Sequence, residues 1–155
     1  MDLDVLSPCC LQDGESNMTR SWTLLLLAWL VATAATLGAL FLGEVMGMTP
    51  CVLCWYQRIF MFPIAIVLAI ACFTDDRRGA IYALALALGG LAVAAYHTLL
   101  VADLIPKAWV PCSAGVSCAD QKLDILNGVQ IPWLSLAAFM ALAILLIVYL
   151  RKSPR

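Results

Sequence analysis

The sequence predicts an all-α integral membrane protein, built as a single bundle of four transmembrane helices. Only 12% of its 155 residues are charged, whereas soluble domains carry about a quarter, and the mean hydropathy is +0.96. Four apolar segments each reach the roughly 20 residues that a helix needs to cross the hydrocarbon core. Because backbone polar groups in lipid must be satisfied within the segment, each of the four is expected to be helical.

The spans are expected near residues 22–43, 53–73, 80–101 and 131–150, within one membrane domain covering 21–151. A tail without fixed structure is expected at 1–20, and a short tail at 152–155. The first apolar run is longer than the ~7–15 residues of a signal peptide, and no small-residue cleavage site follows it before a polar stretch. We therefore expect the first span to be kept as a signal anchor.

Basic residues predict the orientation in the membrane. With four spans, both termini and the 74–79 loop share one side, which holds most of the basic residues: Arg20, Arg77, Arg78, Arg151, Lys152 and Arg155. The other side has Lys107 and Lys122 in a long loop. Since Lys and Arg mark the cytoplasmic side, the loops 44–50 and 102–130 should face outward. The net charge of −1 and the lack of a basic run argue against a nucleic-acid partner.

Four of the seven cysteines fall on the predicted outward side, where disulfides form and persist. Cys51 and Cys54 form a C-x-x-C motif, and Cys112 and Cys118 lie in the long outer loop. Two dithiol pairs presented to one compartment indicate electron transfer between thiols. The remaining cysteines, which are expected to stay reduced on the cytoplasmic side, are Cys9, Cys10 and Cys72. Cys72 is expected to pack as a small apolar residue.

The first cysteine pair lies where the second span is expected to begin, just after Pro50, a residue that suits the first turn of a helix. The partial positive charge of a helix N-terminus favours thiolates. Arg58 follows Cys54 by four residues and Cys51 by seven, so all three share one helical face. We expect Arg58 to stabilise a thiolate. The alternative is an arginine that only extends to the membrane interface.

His97 is the single histidine, and it lies near the outward end of the third span. At the membrane depth of Arg58 it is a candidate to bind or protonate a polar ring, the alternative being a packing residue. Gly89-Gly90, in the same span, indicates close helix packing. A Cys112–Cys118 ring would stabilise the fold by only about 2–2.5 kcal/mol, and an exposed ring is easily attacked by a thiolate. An exchange disulfide is therefore favoured over a structural one.

Electrons arriving at these thiols need an acceptor. The sequence has no haem motif, flavin fingerprint or iron–sulfur spacing, and no metal ligands are expected. The acceptor must fit beside Cys54, Arg58 and His97 at the membrane edge. A lipid-soluble quinone meets that requirement.

On these residues the chain resembles the DsbB family of quinone-dependent thiol oxidases of the bacterial inner membrane. The resemblance covers about residues 22–150 and rests on the run Cys51-Val52-Leu53-Cys54, followed by Tyr56, Arg58, His97-Thr98 and the pair Cys112 and Cys118. Two features depart from the family pattern. Only five residues separate the loop cysteines, as in short-loop members, and Gln57 stands where an acidic residue can occur.

The resemblance implies a relay. A DsbA-like thioredoxin-fold protein would attack the Cys112–Cys118 disulfide at Cys112, and Cys118 would then attack Cys51. Cys54 would be released as a thiolate and donate to ubiquinone or menaquinone. Arg58 would stabilise the developing charge there, and His97 would line the ring site.

Three other interpretations compete with this one. A protein like vitamin K epoxide reductase runs related thiol–quinone chemistry, but usually places its C-x-x-C late in the chain. A transporter of a soft metal such as mercury or copper would need thiols along a path through the membrane, for which only Cys72 and Cys9-Cys10 give a hint. In a structural membrane protein with two disulfides, Arg58 and His97 would have no chemical role.

Overall fold

The computed structural model describes residues 9–74, 76–104, 122–123 and 129–153. Four long helices dominate it. In chain order the elements are α1 (Cys9–Leu40), a π-helical turn (Phe41–Val45), α2 (Val52–Thr74), α3 (Arg77–Val101), β1 (Lys122–Leu123), β2 (Val129–Gln130) and α4 (Ile131–Lys152).

The predicted all-α fold with four spans is confirmed. The stretches that are long and apolar enough to cross a membrane are Ser21–Val45, Val52–Thr74, Arg77–Val101 and Ile131–Lys152. Large apolar side chains such as Leu37, Ile66 and Phe73 are exposed on the outside of the bundle. Exposure on this scale is costly in water but suits a surface in contact with lipid. The chain is therefore a multi-pass membrane protein.

The helices pack in a ring in which α1 contacts α2, α2 contacts α3, α3 contacts α4, and α4 returns to α1. Alanines form the buried face of α3, where Ala80, Ala83 and Ala87 are fully buried. Such small residues let helix backbones approach closely, which is how membrane helices gain packing energy. The larger core side chains, including Ile64 and Leu142, come from the neighbouring helices.

Gly89 and Gly90 lie where two aromatic rings press against α3. A Cβ atom on Gly89 would lie 2.7 Å from Cε1 of Phe60, and one on Gly90 would collide with the ring of Phe139. Phe139 is almost fully buried. The sequence-based interpretation of this glycine pair as a close-packing site is confirmed.

Gly90→Ala should therefore destabilise the bundle by about 1–3 kcal/mol, the usual cost of overpacking a core. Thermal unfolding in detergent would measure this loss. Gly38→Ala is the matched control, because a Cβ there meets no heavy atom within 4 Å and alanine favours a helix. Equal melting temperatures for the two variants would contradict the packing role.

The first helix begins earlier than expected. It starts at Cys9, so the structure differs from the tail without fixed structure expected at 1–20. Extending an existing helix avoids the cost of nucleation, and no proline interrupts the chain between Pro8 and the first span. Residues 1–8 lie outside the described part of the chain.

The two ends of the bundle are closed by different hydrogen bonds. At one end Trp22 donates a hydrogen bond from Nε1 to the carbonyl oxygen of Cys72 (3.4 Å), and Arg77 donates from Nη2 to that of Leu150 (3.5 Å). The opposite end gathers the C-terminal parts of α1 and α3 and the N-terminal parts of α2 and α4. There α3 ends with Asp103 in a left-handed conformation (φ 56°), and the N–H of Leu104 bonds the carbonyl of Leu99 (3.1 Å), as in a Schellman motif.

The short strands form an antiparallel pair, with Lys122 opposite Gln130 and Leu123 opposite Val129. The pair leads directly into α4, and the sequence had indicated only a loop there. Two residues are too few to show the alternating pattern from which a strand is recognised.

Candidate active site

Cys51 occupies the position immediately before α2 and caps that helix. Its carbonyl accepts a hydrogen bond from the N–H of Trp55 (3.0 Å), and its Sγ accepts one from the N–H of Cys54 (3.3 Å). The first N–H groups of a helix have no partner within the helix. The sulfur therefore takes the place of the oxygen that a serine or aspartate cap would supply.

The two sulfurs of the C-x-x-C motif are in contact. Cys51 Sγ and Cys54 Sγ lie 2.9 Å apart and share a hydrogen bond, and both residues are free cysteines that are almost fully buried. A disulfide needs a separation of about 2.05 Å. When two electrons and two protons are removed, a shift of less than about 1 Å is therefore enough to bring the sulfurs to bonding distance across the first turn of α2.

His97 reaches this pair from α3. Its Nε2 lies 3.9 Å from Cys51 Sγ, and its Nδ1 lies 3.3 Å from the side-chain nitrogen of Gln57. His97 is fully buried, and Gln57 is 6% exposed. The imidazole thus lies between the Cys51 sulfur and the side-chain amide of Gln57, which is about one and a half turns after Cys51.

Cys51, which lies just before the second span, has surroundings that favour its thiolate form. The hydrogen bond from the Cys54 thiol lowers the pKa of Cys51 below its usual value, and the contact with His97 and the backbone N–H of Cys54 act in the same direction. Burial opposes the shift without cancelling it. Thiolate, and not thiol, is the nucleophilic form.

The donor atoms of Cys51, Cys54 and His97 lie within 4.8 Å of one another, a grouping that could in principle hold a metal ion. Two thiolates on one tetrahedral zinc ion, with bonds of about 2.3 Å, lie about 3.8 Å apart. The observed separation of 2.9 Å is much shorter. The spacing fits a dithiol that closes to a disulfide better than a pair of metal ligands.

Beside Cys54 lies a cavity of about 450 Å³ between α1, α2 and α4. Its walls are mostly apolar. They come from small residues of α1 and larger residues of α4, and the cavity opens to the outer surface of the bundle at the exposed residues Ala34, Gly38 and Leu134. The side chains in the lining that can donate a hydrogen bond are Cys54, Gln57, Arg58 and Ser135.

Arg58 lies in the wall of this cavity and ties α2 to α1. Its Nη2 donates a hydrogen bond to the carbonyl oxygen of Ala39 (2.7 Å), close to the point where α1 passes into the π-helical turn. Its guanidinium carbon is 5.5 Å from the ring centroid of Trp55, and the group lies close to Gly43. Arg58 is thus held inside the bundle, next to the cavity that Cys54 reaches.

The structure brings most of the sequence-predicted site residues together. Cys51, Cys54 and Arg58 share one end of α2 as expected, but His97 contacts Cys51 and is not part of the cavity wall. Gln57, which joins His97 to that wall, was noted in the sequence only as a departure from the family pattern. The signal that marks it is a neutral polar residue, three positions after Cys54 and next to Arg58, in a span that is mostly apolar.

The other cysteines have separate outcomes. Cys112 and Cys118 lie outside the described residues, so their exchange role stays a prediction. Cys72 is a half-buried free cysteine that packs against the core far along α2, as expected of a small apolar residue.

Comparisons with known proteins agree on one family. The family model described as "Disulfide bond formation protein DsbB" matches residues 20–149. A "Probable disulfide formation protein" of Metapseudomonas resinovorans is 52% identical over 139 residues, covering 89% of this chain and 95% of the relative. "Disulfide bond formation protein C" of Bacillus subtilis (strain 168) is 38% identical over 119 residues, covering 76% and 85%. A "Probable disulfide formation protein" of Chlamydia muridarum is 41% identical over 131 residues, covering 84% and 94%.

Proposed function

The chain belongs to the DsbB family, and from that premise we propose that it oxidises a DsbA-like thioredoxin-fold protein and passes the electrons to a membrane quinone. Membership makes it a thiol oxidoreductase of the membrane that works in disulfide formation. The observation that carries the finer proposal is the position of Cys54, which contacts Cys51 on one side and lines a lipid-facing cavity on the other.

The cavity suits a quinone, either ubiquinone or menaquinone. Ligand sites are concave and mostly apolar, with a few polar groups that fix orientation. Here the small residues of α1 leave room for a flat ring, Arg58 and Gln57 provide donors, and the open side allows a hydrocarbon tail to extend into lipid. A bound quinone supplies an acceptor for two electrons and two protons.

The proposed exchange begins in the outer loop. The DsbA-like dithiol reduces the Cys112–Cys118 disulfide, and the Cys118 thiolate then attacks Cys51. A bond forms between the sulfurs of Cys118 and Cys51, the Cys51–Cys54 bond breaks, and its electron pair remains on Cys54 as a thiolate. Arg58 shares the cavity with this thiolate and stabilises its charge in surroundings of low dielectric constant.

The proposed location is the bacterial inner membrane, with both termini in the cytoplasm. Arg77, Arg78, Arg151 and Lys152 belong to the end of the bundle opposite the C-x-x-C motif, and basic residues mark the cytoplasmic side. This orientation presents the cysteine pair to the compartment in which disulfides persist.

A soft-metal transporter is a weaker explanation of the same residues. A path for the ion would need thiols through the depth of the membrane. Cys72 is separated from Cys54 by 18 residues of one helix, or about 27 Å at 1.5 Å per residue. No other described cysteine side chain lies between them.

Filling the cavity tests where the acceptor binds. Gly38 lines the cavity and a Cβ there meets no heavy atom within 4 Å, so Gly38→Trp should fold while obstructing the site. We expect it to raise the KM for a soluble quinone analogue about tenfold or more, a typical effect of a steric change in an apolar pocket. Initial rates with a reduced DsbA-type donor would measure this.

Gly38→Ala is the matched control and should have a KM near that of the wild type. The rate at which the donor reduces the protein without quinone should be the same in both variants, because the thiol exchange does not use the cavity. Unchanged quinone kinetics in folded Gly38→Trp protein would place the acceptor elsewhere.

A further inference from the structure

The contact between Gln57 and His97 is not used by the relay as described. Among the described residues, the polar side chains that are buried are Gln57, His97 and Thr98. Thr98 donates a hydrogen bond to the carbonyl oxygen of Ala94 (2.8 Å), one turn back in its own helix. Gln57 and His97 instead meet across the interface of α2 and α3, and burying both is costly unless they bond each other.

The atoms in contact favour one tautomer of His97. The Gln57 nitrogen that faces Nδ1 of His97 at 3.3 Å belongs to an amide NH₂ group, which only donates. Nδ1 must then accept and carry no proton. In a neutral imidazole the proton is left on the other nitrogen. That nitrogen, Nε2, is the one 3.9 Å from Cys51 Sγ.

We propose that Gln57 is a positioning residue that holds His97 as its Nε2–H tautomer, so that the ring donates a hydrogen bond to the sulfur of Cys51. His97 then serves the thiol-exchange half of the reaction and is not a ligand of the acceptor ring. The catalytic meaning of this arrangement rests on the proposed function, whereas the tautomer itself does not.

Three groups surround the Cys51 sulfur in this arrangement: the backbone N–H of Cys54 donates to it, the Cys54 sulfur lies 2.9 Å away, and the Nε2–H of His97 faces it at 3.9 Å. Tyr96 packs against the same cluster, and Arg58 lies a turn further along α2, on the cavity side. Within the described part of the chain, the groups in hydrogen-bond contact with the Cys51 sulfur belong to Cys54 and His97.

Such donors matter when Cys51 is a leaving group. Once Cys118 is bonded to Cys51, the Cys112 thiolate can attack the Cys118 sulfur. A bond forms between the sulfurs of Cys112 and Cys118, the Cys118–Cys51 bond breaks, and its electron pair leaves on Cys51 Sγ. A thiol of lower pKa leaves faster, so a hydrogen bond from Nε2–H speeds the release. It also favours the Cys51 thiolate, which later bonds to Cys54 as two electrons pass to the quinone.

The single histidine makes the tautomer directly measurable. The full chain, labelled with ¹⁵N-histidine, reduced and purified through a tag without histidine, would give one pair of ring nitrogen signals by NMR. The expected result is a protonated Nε2 and an unprotonated Nδ1. A protonated Nδ1 with an unprotonated Nε2 would overturn the proposal, because Cys51 would then be donating to the ring.

Two substitutions separate positioning from packing. Gln57→Leu removes the donor and should mix the tautomers. Gln57→Glu replaces it with an acceptor and should move a proton to Nδ1. Thr98→Val is the matched control, since it changes a buried polar residue next to His97 without touching the ring contacts, and it should keep the wild-type tautomer.

The second readout is the pH profile of Cys51 alkylation by iodoacetamide in the reduced protein, followed by peptide mass spectrometry. Gln57→Leu should lower the rate about three- to tenfold at pH values below the midpoint, as expected when the loss of a donor raises a thiol pKa by about 0.5–1 unit. Thr98→Val should leave the profile unchanged.

An unchanged tautomer and profile in Gln57→Leu would contradict the proposal, as would equal shifts in Thr98→Val. If Gln57→Leu fails to fold, the wild-type tautomer decides the question alone. Neither readout uses a quinone or a DsbA-like partner, so these results are independent of the proposed function. A protein without quinone activity can still show the predicted tautomer.

Discussion

Replacing Cys54 with serine is expected to abolish quinone-dependent thiol oxidation, with a loss of about a thousandfold or more, as for other essential nucleophiles. Cys54 is the sulfur that both contacts Cys51 and lines the cavity. A serine hydroxyl cannot form the disulfide or carry the electron pair onward. The measurement is quinone absorbance during steady-state turnover with a reduced DsbA-type donor.

Cys72→Ser is the control for this variant, because Cys72 is a half-buried cysteine of the same helix and lies outside the site. It should turn over at nearly the wild-type rate. In Cys54→Ser the donor should still reduce the loop disulfide once, with about one donor disulfide formed per chain, as expected for a single two-electron exchange, and no further turnover. Turnover at the wild-type rate in Cys54→Ser would refute the relay.

Arg58→Ala should lower kcat/KM for the quinone analogue by about 10- to 100-fold, somewhat less than the loss of a full oxyanion-hole donor. The guanidinium provides the positive charge in the wall of the cavity that Cys54 also lines. Its removal should destabilise both the Cys54 thiolate and the charge that develops on the acceptor. Initial rates measured over a range of quinone concentrations, with the thiol donor at a saturating concentration, would show the effect.

Arg58 also donates a hydrogen bond to Ala39, so the variant loses a tie between α1 and α2 as well as a charge. Arg58→Lys separates the two contributions, because lysine keeps the charge but not the planar fork. We expect Arg58→Lys to retain more quinone activity than Arg58→Ala at similar thermal stability. Unchanged quinone kinetics in Arg58→Ala would mean that Arg58 has only a structural role.

The two cysteines of the motif face different parts of the molecule, and this division explains how one pair serves two reactions. Cys51 faces His97 and the interior between α2 and α3. Cys54, one turn later, reaches the cavity between α1, α2 and α4. Thiol exchange and electron delivery can therefore be tuned by different neighbours, with His97 and Gln57 on one side and Arg58 on the other.

Much of the fold follows from the sequence because membrane spans depend on local composition. The length and apolar character of each segment are enough to locate a helix, and the predicted spans agree with the structure to within a few residues. The extension of α1 to Cys9 and the π-helical turn after Leu40 were missed. Both lie where the composition turns polar or the helix geometry changes, and hydropathy does not report on either.

The site was predictable where it depends on one helix. Cys51, Cys54 and Arg58 were placed together by spacing alone, since residues three and four apart share a helical face. The contact of His97 with Cys51 and Gln57 depends instead on how α3 is rotated against α2. That rotation is determined by tertiary packing, which includes the alanine face of α3 and the contacts of the Phe60 and Phe139 rings with Gly89 and Gly90. It cannot be predicted from the spacing of residues along one segment of the chain.

The most direct test of the central claim, that the Cys51–Cys54 pair delivers electrons to a quinone, isolates that pair. The Cys112→Ser/Cys118→Ser variant, fully reduced in detergent, would be mixed without oxygen with a soluble ubiquinone or menaquinone analogue, and its cysteines mapped by alkylation and mass spectrometry. The account predicts about one equivalent of quinol per chain, as expected for a two-electron couple, and a new Cys51–Cys54 disulfide. Cysteines that stay reduced while the quinone stays oxidised would contradict it.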